Sequence, residues 1–330
     1  MAIVLSHITA AAILASTLPA HGKPLSHDLS SLEPFATPAP NDLVVIETLK
    51  AQLPHPIHIL VPPGSGWKRT RTVVPHEFAG ALEPGTLWHL SDTVLVCGPA
   101  LNFIQVAPQM SELDHLLYGY QLCGTHALAD VAGGIIQRQA LTSTAELSSF
   151  ITRHPGLRGS RIARNRMKYL RDGAASPMES ALSLRLVLPR RKDGLGIASL
   201  VLNKRIEVPA HLQRSAGCGY FYLDAFIPEA SIGAEYDSDA FHTGPDKIAQ
   251  DATRRNILEG LGIRMITVTR RQLIDADGFH GIAESINAML GRRANKSIAQ
   301  SIQRERAFSA ELRGALSRMK PRVPPTLVLP

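Results

Sequence analysis

The chain of 330 residues has few cysteines and no long hydrophobic run. The three cysteines, Cys97, Cys123 and Cys218, are widely spaced, which excludes a disulfide scaffold and a zinc site built of cysteines alone. Such sparse cysteine usage is typical of a reducing compartment. No apolar stretch approaches the ~20 residues of a membrane-spanning helix, so we expect no membrane partner. Hydrophobic residues at 45% and charged residues at 19% exclude a disordered or fibrous chain.

The N-terminal segment lacks the basic residues that a secretory signal needs. Residues 8–20 resemble the apolar core of a signal peptide, but the first basic residue is Lys23, which comes after that core. We therefore interpret this segment as a short helix that packs on the first domain, and we expect a cytoplasmic protein.

Acidic and basic residues are distributed unevenly along the chain. Residues 1–150 hold 6 Lys and Arg and 11 Asp and Glu, a net charge of −5, whereas residues 151–330 hold 29 and 17, a net charge of +12. The whole chain carries +7. This asymmetry predicts a polyanionic partner for the second half, and it leaves open whether that partner is DNA or RNA.

The length predicts two domains, because a typical domain holds ~100–200 residues. Strand-like runs split by Pro- and Gly-rich turns, with a helical region at Met110–Ala129, indicate a small α+β domain at the start. Helices and strands then alternate, so the predicted fold class is α/β, with a mixed sheet flanked by helices in the second domain. The predicted divisions are 1–150 for the α+β domain, 151–175 for a basic helical linker, 176–292 for the second domain, and 293–330 for a charged C-terminal helix with a disordered Pro-rich tail.

A basic segment precedes the second domain. Ser160 is a suitable helix N-cap, and cations recur after it at steps of 3, 4 and 3, which places them on one helical face. These four residues are Arg161, Arg164, Lys168 and Arg171. The face could contact nucleic-acid phosphates, or it could be the solvated side of an amphipathic helix; the spacing alone favours neither.

Four acidic residues of the predicted second domain form a candidate group. Ser176 and Glu179 form the capping box of a predicted helix, so Glu179 has a structural explanation. Two predicted strands then bring Asp224 near Glu235 and Asp237, which share a strand face at i and i+2. Clustered carboxylates repel one another unless one is protonated or a cation is bound. The pattern predicts a site for a hard cation such as Mg²⁺, against the alternative of solvated acids at a strand end.

Further polar residues follow the second of these strands. His242 lies on the next loop, and a predicted helix carries Asp251, Arg254 and Arg255 before a strand at Arg264–Thr269. The loop histidine is either a catalytic group or part of the polar surface. Asp251 and Arg255 at i and i+4 also form an ordinary helix ion pair, so that pair has a structural explanation.

Taken in order, these motifs resemble the PD-(D/E)XK nuclease superfamily, and within it the branch related to very-short-patch repair endonucleases. The motifs are S-P-x-E from Ser176, Asp224, E-Y-D at 235–237 with His242 after it, and D-x-x-R-R-x-x-L-x-x-L-G-I-R-x-I-x-V from Asp251. The resemblance covers residues 176 to about 290. Residues 1–150 more loosely resemble the N-terminal region of abortive-infection antitoxin proteins.

The resemblance implies a role for each matching residue. It makes Asp224 and Glu235 the metal-binding acids, His242 the general base, and Glu179 and Asp251 outer acidic positions. It makes Arg254 or Arg255 a contact to scissile-strand phosphates. Asp237 stands where the superfamily usually has a lysine that stabilises charge on the reacting phosphate, and an aspartate cannot do this. Ser238 replaces the glycine that commonly follows this motif in the branch.

Two functions therefore remain as the main hypotheses, beside a third possibility, an inactive interaction protein whose basic face is only solvated. The first is an endonuclease that hydrolyses DNA phosphodiester bonds with Mg²⁺ or Mn²⁺. The second is an inactive nuclease fold that binds DNA as a regulator, an antitoxin-type repressor. The missing lysine favours the second, and the absence of a convincing helix-turn-helix in residues 1–150 counts against it. The sequence leaves the oligomeric state open, a homodimer included.

Overall fold

The computed structural model describes residues 3–16, 23–24, 40–80, 82–237, 245–292 and 298–323. The chain forms two compact units: residues 1–170 with 319–330, here the first unit, and residues 171–318, the second unit. This division falls later than the predicted domain boundary at 150, because helices within residues 144–167 pack against the first unit. The tail that we expected to be disordered lies, from residue 324 onward, outside the described residues.

The first unit is built on a six-stranded sheet in the order β2-β5-β6-β1-β3-β4. β1 lies in its middle, parallel to β6 and antiparallel to β3. The strands are β1 (Ile3–Leu5), β2 (Lys23–Pro24), β3 (Ile57–Val61), β4 (Val73–Glu77), β5 (Leu87–His89) and β6 (Val94–Cys97), and a separate hairpin consists of β7 (His126–Leu128) and β8 (Ile135–Gln137). β1, β3 and β6 are almost continuously buried, as expected for strands covered on both faces.

Six α-helices lie in the described part of the first unit. They are α1 (His7–Ala15), α2 (Pro40–Lys50), α3 (Pro99–Val106), α4 (Glu112–Cys123), α5 (Thr144–Arg153) and α6 (Ser160–Met167). α1 confirms the expected short N-terminal helix. The helical region predicted at Met110–Ala129, with a possible interruption around Gly119 and Gly124, ends at the second of these glycines: α4 stops at Gly124 in extended backbone and the chain enters β7.

The second unit is a four-stranded mixed sheet with helices around it. Its order is β12-β11-β10-β9, with β11 and β12 parallel and the other pairs antiparallel. The elements are α7 (Pro177–Val187), β9 (Val201–Glu207), α8 (Gln213–Ala216), β10 (Tyr220–Ile227), β11 (Ile232–Asp237), α9 (Pro245–Gly260), β12 (Arg264–Thr269), α10 (Arg270–Ile274), α11 (Ala276–Met289) and α12 (Ile298–Arg318). The α/β fold class is thereby confirmed.

Side-chain alternation along β10 separates a core face from a polar face. Phe221, Leu223 and Ala225 are buried, and the first two pack against Leu258 of α9. The alternating residues Tyr220, Tyr222 and Asp224 therefore point away from this core. Asp224 is one of these residues. Its carboxylate therefore lies on the polar face of β10, whose other face packs against the core.

A buried arginine joins the helices of the second unit. Arg185 of α7 donates hydrogen bonds to the Leu273 carbonyl (3.2 Å) and to Ser309 Oγ (2.7 Å), and it forms an ion pair with Glu305 of α12.

Among the helices of the described ranges, none is long and apolar enough to cross a membrane.

Candidate active site in the second unit

Asp224 lies where the pairing of β10 with β11 ends and where its pairing with β9 is interrupted for one residue. Pairing between β10 and β11 runs from Ile227 to Ala225 and does not continue to Asp224. Instead, Asp224 Oδ2 accepts a hydrogen bond from the backbone N–H of Tyr236, at 2.8 Å. The carboxylate therefore replaces a backbone hydrogen bond between β10 and β11, and the pairing of these strands stops there.

The opposite neighbour is Asn203 of β9, which faces Asp224 across the sheet. The flanking pairs are Lys204↔Leu223 and Leu202↔Ala225, and Asn203 between them adopts a left-handed backbone with φ of +46°. Asparagine tolerates this conformation better than most residues. A strained residue beside a buried acid is typical of a functional site.

Asn203 connects this opening to Glu179 at the start of α7. Asn203 Nδ2 donates to Glu179 Oε2 (2.9 Å) and to the Gly173 carbonyl (2.6 Å). The backbone N–H of Ala175 also donates to Glu179 Oε2, at 2.8 Å, while Ser176 Oγ caps the Glu179 N–H. The Ser176 half of the predicted capping box is therefore present, but the Glu179 carboxylate bonds to the N–H of Ala175 in place of that of Ser176, and it also holds Asn203 next to Asp224.

Glu235 and Arg254 form the other side of the site. Arg254 Nη1 donates to Glu235 Oε2 at 2.6 Å, and Nη2 forms an ion pair with Oε1. The contact between Arg254 Nη2 and Glu235 Oε1 does not have hydrogen-bonding geometry. Glu235 Oε1 is therefore buried in an ion pair but accepts no hydrogen bond. Arg254 thus supplies a permanent positive charge beside the acids, because a guanidinium stays protonated in proteins.

The surroundings of Asp224 raise the pKa of its carboxyl group to about 7. Burial is the main cause, because it disfavours the charged carboxylate, and the negative charge of Glu179 adds to it. The hydrogen bond from Tyr236 opposes the rise, Glu235 adds to it, and Arg254 opposes it. A carboxyl group whose pKa is raised this far by burial and by neighbouring charges is a candidate for function.

The Glu179→Gln variant tests this charge coupling. Glutamine keeps an oxygen acceptor for Asn203 and Ala175 but removes the charge, so the pKa of Asp224 should fall toward its ordinary value without returning to it, because burial persists. Carboxyl-carbon NMR titration measures this directly. Glu207→Gln, which removes an exposed charge at the end of β9, should leave the pKa unchanged; equal pKa values in wild type and Glu179→Gln would contradict the coupling.

The two acids fit a divalent cation as a pair. Asp224 and Glu235 offer oxygen ligands, and the negative charge of Glu235 is one of the causes that raise the pKa of Asp224. Within the described ranges, no group of three or more His, Cys, Asp or Glu side chains is arranged to hold a metal ion. Mg²⁺ is commonly held by one or two carboxylates, with water and substrate phosphates as the other ligands, so a pair is sufficient.

Three other predicted residues lie apart from this pair. Asp237 is exposed at the end of β11 and is not among the charges that shift the pKa of Asp224. Asp251 is exposed on α9 and is also absent from those charges. Arg255 is exposed too, with Nη2 3.5 Å from Thr267 Oγ1. His242 falls outside the described residues, so its role stays a prediction.

The predicted stripe of four cations on one helix is wrong. α6 ends at Met167, so it carries only Arg161 and Arg164 of the set, both exposed. Lys168 is the C-cap residue. Arg171 belongs to the second unit, where its guanidinium donates to the carbonyls of Ala198 and Leu200. The helix is shorter than predicted because Tyr169 and Leu170 are buried where the first unit ends.

Sequence reasoning missed Asn203 and two tyrosines on the face of Asp224. Tyr220 and Tyr222 are 43% and 50% exposed, and their rings meet edge to face at 5.4 Å. Their period-2 spacing with Asp224 is a signal that the sequence carries. Asn203 left no comparable signal, since its role depends on the pairing of β9 with β10.

The fold and the site define an α/β protein with two partly buried acids, Asp224 and Glu235, on a mixed sheet. No family model matches the chain, and no solved structure matches it. The chain is similar to two uncharacterised proteins of Mycobacterium tuberculosis, from strains CDC 1551 and H37Rv. Each is 26% identical over 212 residues, or 64% of this chain and 66% of the relative, so the chain spans slightly less than two thirds of their length.

Proposed function

We propose that the second unit is a divalent-metal-dependent endonuclease that hydrolyses DNA phosphodiester bonds. The observation that carries the proposal is the placement of the partly buried Asp224 next to Glu235, on neighbouring strands, at the point where the pairing of β10 with β11 ends, together with the raised pKa of Asp224. The order of the sequence motifs, which resembles PD-(D/E)XK nucleases, supports the same assignment.

Asp224 and Glu235 would hold Mg²⁺ or Mn²⁺, which when bound supplies Lewis-acid polarisation of the phosphate. The Tyr236 N–H fixes the direction of the Asp224 carboxylate. Glu179 acts through Asn203: its carboxylate holds the Asn203 side chain at the position where the pairing of β9 with β10 is interrupted. Arg254 lies where its charge could stabilise a phosphate during reaction, and so takes over part of the role of the lysine that Asp237 replaces. His242 remains the proposed proton acceptor.

Nucleic acid as the substrate is supported by the strip of side chains that leads to Asp224. Tyr220 and Tyr222 are exposed on the same face of β10, and Arg205 pairs opposite Tyr222 in the sheet register. The Arg205 guanidinium lies 4.2 Å from the centre of the Tyr220 ring. Aromatic rings interleaved with cations contact nucleic acid well, because bases stack on the rings at ~1–3 kcal/mol each and phosphates meet the charges.

A second candidate function is DNA binding without hydrolysis, as in an antitoxin-type repressor. The observation that favours it is the ion pair between Arg254 and Glu235, because the protein's own cation already neutralises one of the two acids. A metal would then be unnecessary for the stability of the site. DNA binding by such a regulator would depend on salt and would be the same with a chelator as with Mg²⁺.

A cleavage assay separates these functions. The full chain is incubated with supercoiled plasmid and with linear single- and double-stranded DNA in Mg²⁺, Mn²⁺ or EDTA, beside Glu235→Gln and the control Glu259→Gln, which alters an exposed acid on α9. We expect cleavage by wild type and Glu259→Gln with metal, and at least a ~10–100-fold slower reaction for Glu235→Gln. Salt-sensitive DNA binding with no cleavage in either metal would overturn the nuclease in favour of the regulator.

A further inference from the structure

Two exposed tyrosines lie on the same face of β10 as Asp224. Tyr220 and Tyr222 are 43% and 50% exposed, whereas the alternating residues Phe221 and Leu223 are buried. Successive side chains on one face of a strand are about 7 Å apart, so the two rings and the carboxylate follow one another at equal steps. Half-exposed rings in line with a candidate metal-binding acid contact any chain that lies along this face.

The neighbouring strand adds a cation to the same face. Arg205 of β9 pairs with Tyr222 in the sheet register, and directly opposite residues project from the same side. Its guanidinium lies over the Tyr220 ring. Arg205 also forms an ion pair with Glu207, but both side chains are mostly exposed, and such pairs contribute little to stability. A phosphate can therefore compete for this guanidinium. Tyr220, Tyr222 and Arg205 are here called the tyrosine strip.

Arg254 connects the tyrosine strip to the acids. It donates hydrogen bonds to the Tyr222 carbonyl and to Glu235 Oε2. Asp224 follows Tyr222 by two residues on the same strand. The backbone of Tyr222 is therefore fixed relative to both acids, and a chain bound along the tyrosine strip is led to Asp224.

A ring exposed on a sheet selects for unpaired bases. Inside a duplex both faces of a base are covered by its neighbours, so a base stacks on a protein ring only if its strand is unpaired or if it is flipped out, at the cost of its pairing and stacking. Stacking on aromatic side chains accepts every base, because each has a π face. A duplex presents mainly phosphates to this surface, and the tyrosine strip offers them a single guanidinium.

We propose that the tyrosine strip binds an unpaired strand of DNA, with a base stacked on Tyr222, a phosphate at Arg205 and the next phosphodiester at Asp224. Tyr222 takes the base because its ring is the more exposed, and because Arg205 covers one face of Tyr220. The step of about 7 Å from Tyr222 to Asp224 is close to the length of one extended nucleotide. This inference rests on the proposed nuclease and names its substrate as single-stranded DNA or an unpaired region of a larger DNA.

Fluorescence anisotropy of labelled DNA with the full chain tests the tyrosine strip without depending on cleavage. The probes are an oligothymidine, the same backbone with abasic positions throughout its centre, and a hairpin duplex with the same number of phosphates. Each is measured at one salt concentration in EDTA and, separately, in Ca²⁺, which accepts carboxylate and phosphate oxygen ligands.

Four variants separate stacking from charge. Tyr222→Leu removes the ring and keeps its apolar bulk, and Tyr222→Phe restores a ring. Arg205→Gln removes the cation of the tyrosine strip, and Arg191→Gln removes an equal charge from an exposed position between α7 and β9. Because the replaced side chains are exposed, the variants should keep the fold, which circular dichroism checks.

We expect wild type to bind the oligothymidine at least ~5-fold more tightly than the duplex or the abasic backbone, because only the oligothymidine offers bases for stacking. Tyr222→Leu should lose at least ~5-fold of the single-strand affinity, and Tyr222→Phe should retain most of it. Arg205→Gln should weaken single-strand binding more than Arg191→Gln does. Equal affinity for oligothymidine and duplex, no binding of oligothymidine in either condition, or equal affinities of Tyr222→Leu and Tyr222→Phe would overturn the proposal.

The failure of this inference can be distinguished from the failure of the proposed nuclease. Selective binding of single strands that depends on Tyr222, without cleavage in Mg²⁺ or Mn²⁺, would support the tyrosine strip and refute the nuclease. Cleavage of duplex DNA at the same rate by wild type and Tyr222→Leu would refute the tyrosine strip and leave the nuclease in place.

Discussion

Asp224→Asn should abolish DNA cleavage and, with divalent cations removed, make the second unit more stable. Asparagine retains an oxygen that can accept the Tyr236 N–H, so the local geometry persists. The loss of a proposed metal ligand should slow cleavage by more than ~100-fold, since changes to groups that only support a ligand already cost ~10–100-fold. A residue with a purely structural role would lose stability and activity together.

The stability gain follows from the raised pKa of Asp224, which is about 7 in the folded protein against an unfolded value near 4. The folded state therefore binds more protons between these values, and the free energy of unfolding falls as pH rises from about 4 to 7. A shift of this size corresponds to at most ~4 kcal/mol at pH 8. Asp224→Asn removes this destabilisation, so its advantage should be present at pH 8 and absent near pH 4.

Thermal unfolding in EDTA at pH 8 and pH 5 measures the difference. Glu259→Gln is the matched control, because it replaces an exposed acid of the same unit by its amide and should change neither stability nor cleavage. An Asp224→Asn protein that unfolds more easily than wild type at pH 8 would contradict the account. So would one that keeps full cleavage activity.

Arg185→Met should destabilise the second unit by ~3–5 kcal/mol, the typical loss when one partner of a buried ion pair is removed. The guanidinium lies over the rings of Phe279 and Phe308, at 4.4 and 4.8 Å, and the side chain is fully buried. Its removal leaves Glu305 without its cation, and burial already raises the pKa of that carboxyl group. The hydrogen bonds that join α7 to α10 and α12 are lost as well.

Urea unfolding followed by circular dichroism tests this, since both tryptophans lie in the first unit and do not report on the second. The double variant Arg185→Met with Glu305→Met should recover much of the loss, because it removes the stranded charge. Arg306→Met alters a mostly exposed arginine of the same helix and should change stability by less than ~0.5 kcal/mol. Equal stability of Arg185→Met and Arg306→Met would show that the buried pair is dispensable.

Local signals in the sequence predict most elements of the second unit correctly. Ser176 and Glu179 define the start of α7, and Gly262 has the positive φ (+77°) expected after the end of α9. The aromatic-rich run at residues 220–226 predicts β10. These features depend on neighbours within a few residues, which is the range over which capping and periodicity act.

Features that depend on distant residues could not be predicted. The ion pair of Glu235 with Arg254 and the hydrogen bond of Asn203 to Glu179 join side chains 19 and 24 residues apart. In the first unit, the three-residue strand β1 is central only because β3 and β6 pair with it. Its sequence resembled the start of an apolar segment, so β1 could not be expected from it.

The central claim is that Asp224 and Glu235 bind a divalent cation for the hydrolysis of DNA. The most direct test is calorimetric titration of Mn²⁺ into the full chain, alone and with uncleavable phosphorothioate DNA, for wild type, Asp224→Asn and Glu259→Gln. The account predicts one Mn²⁺ site in wild type and Glu259→Gln, tightened by DNA and weakened at least tenfold by Asp224→Asn. No Mn²⁺ binding in the presence of DNA, or equal affinity in all three proteins, would contradict it.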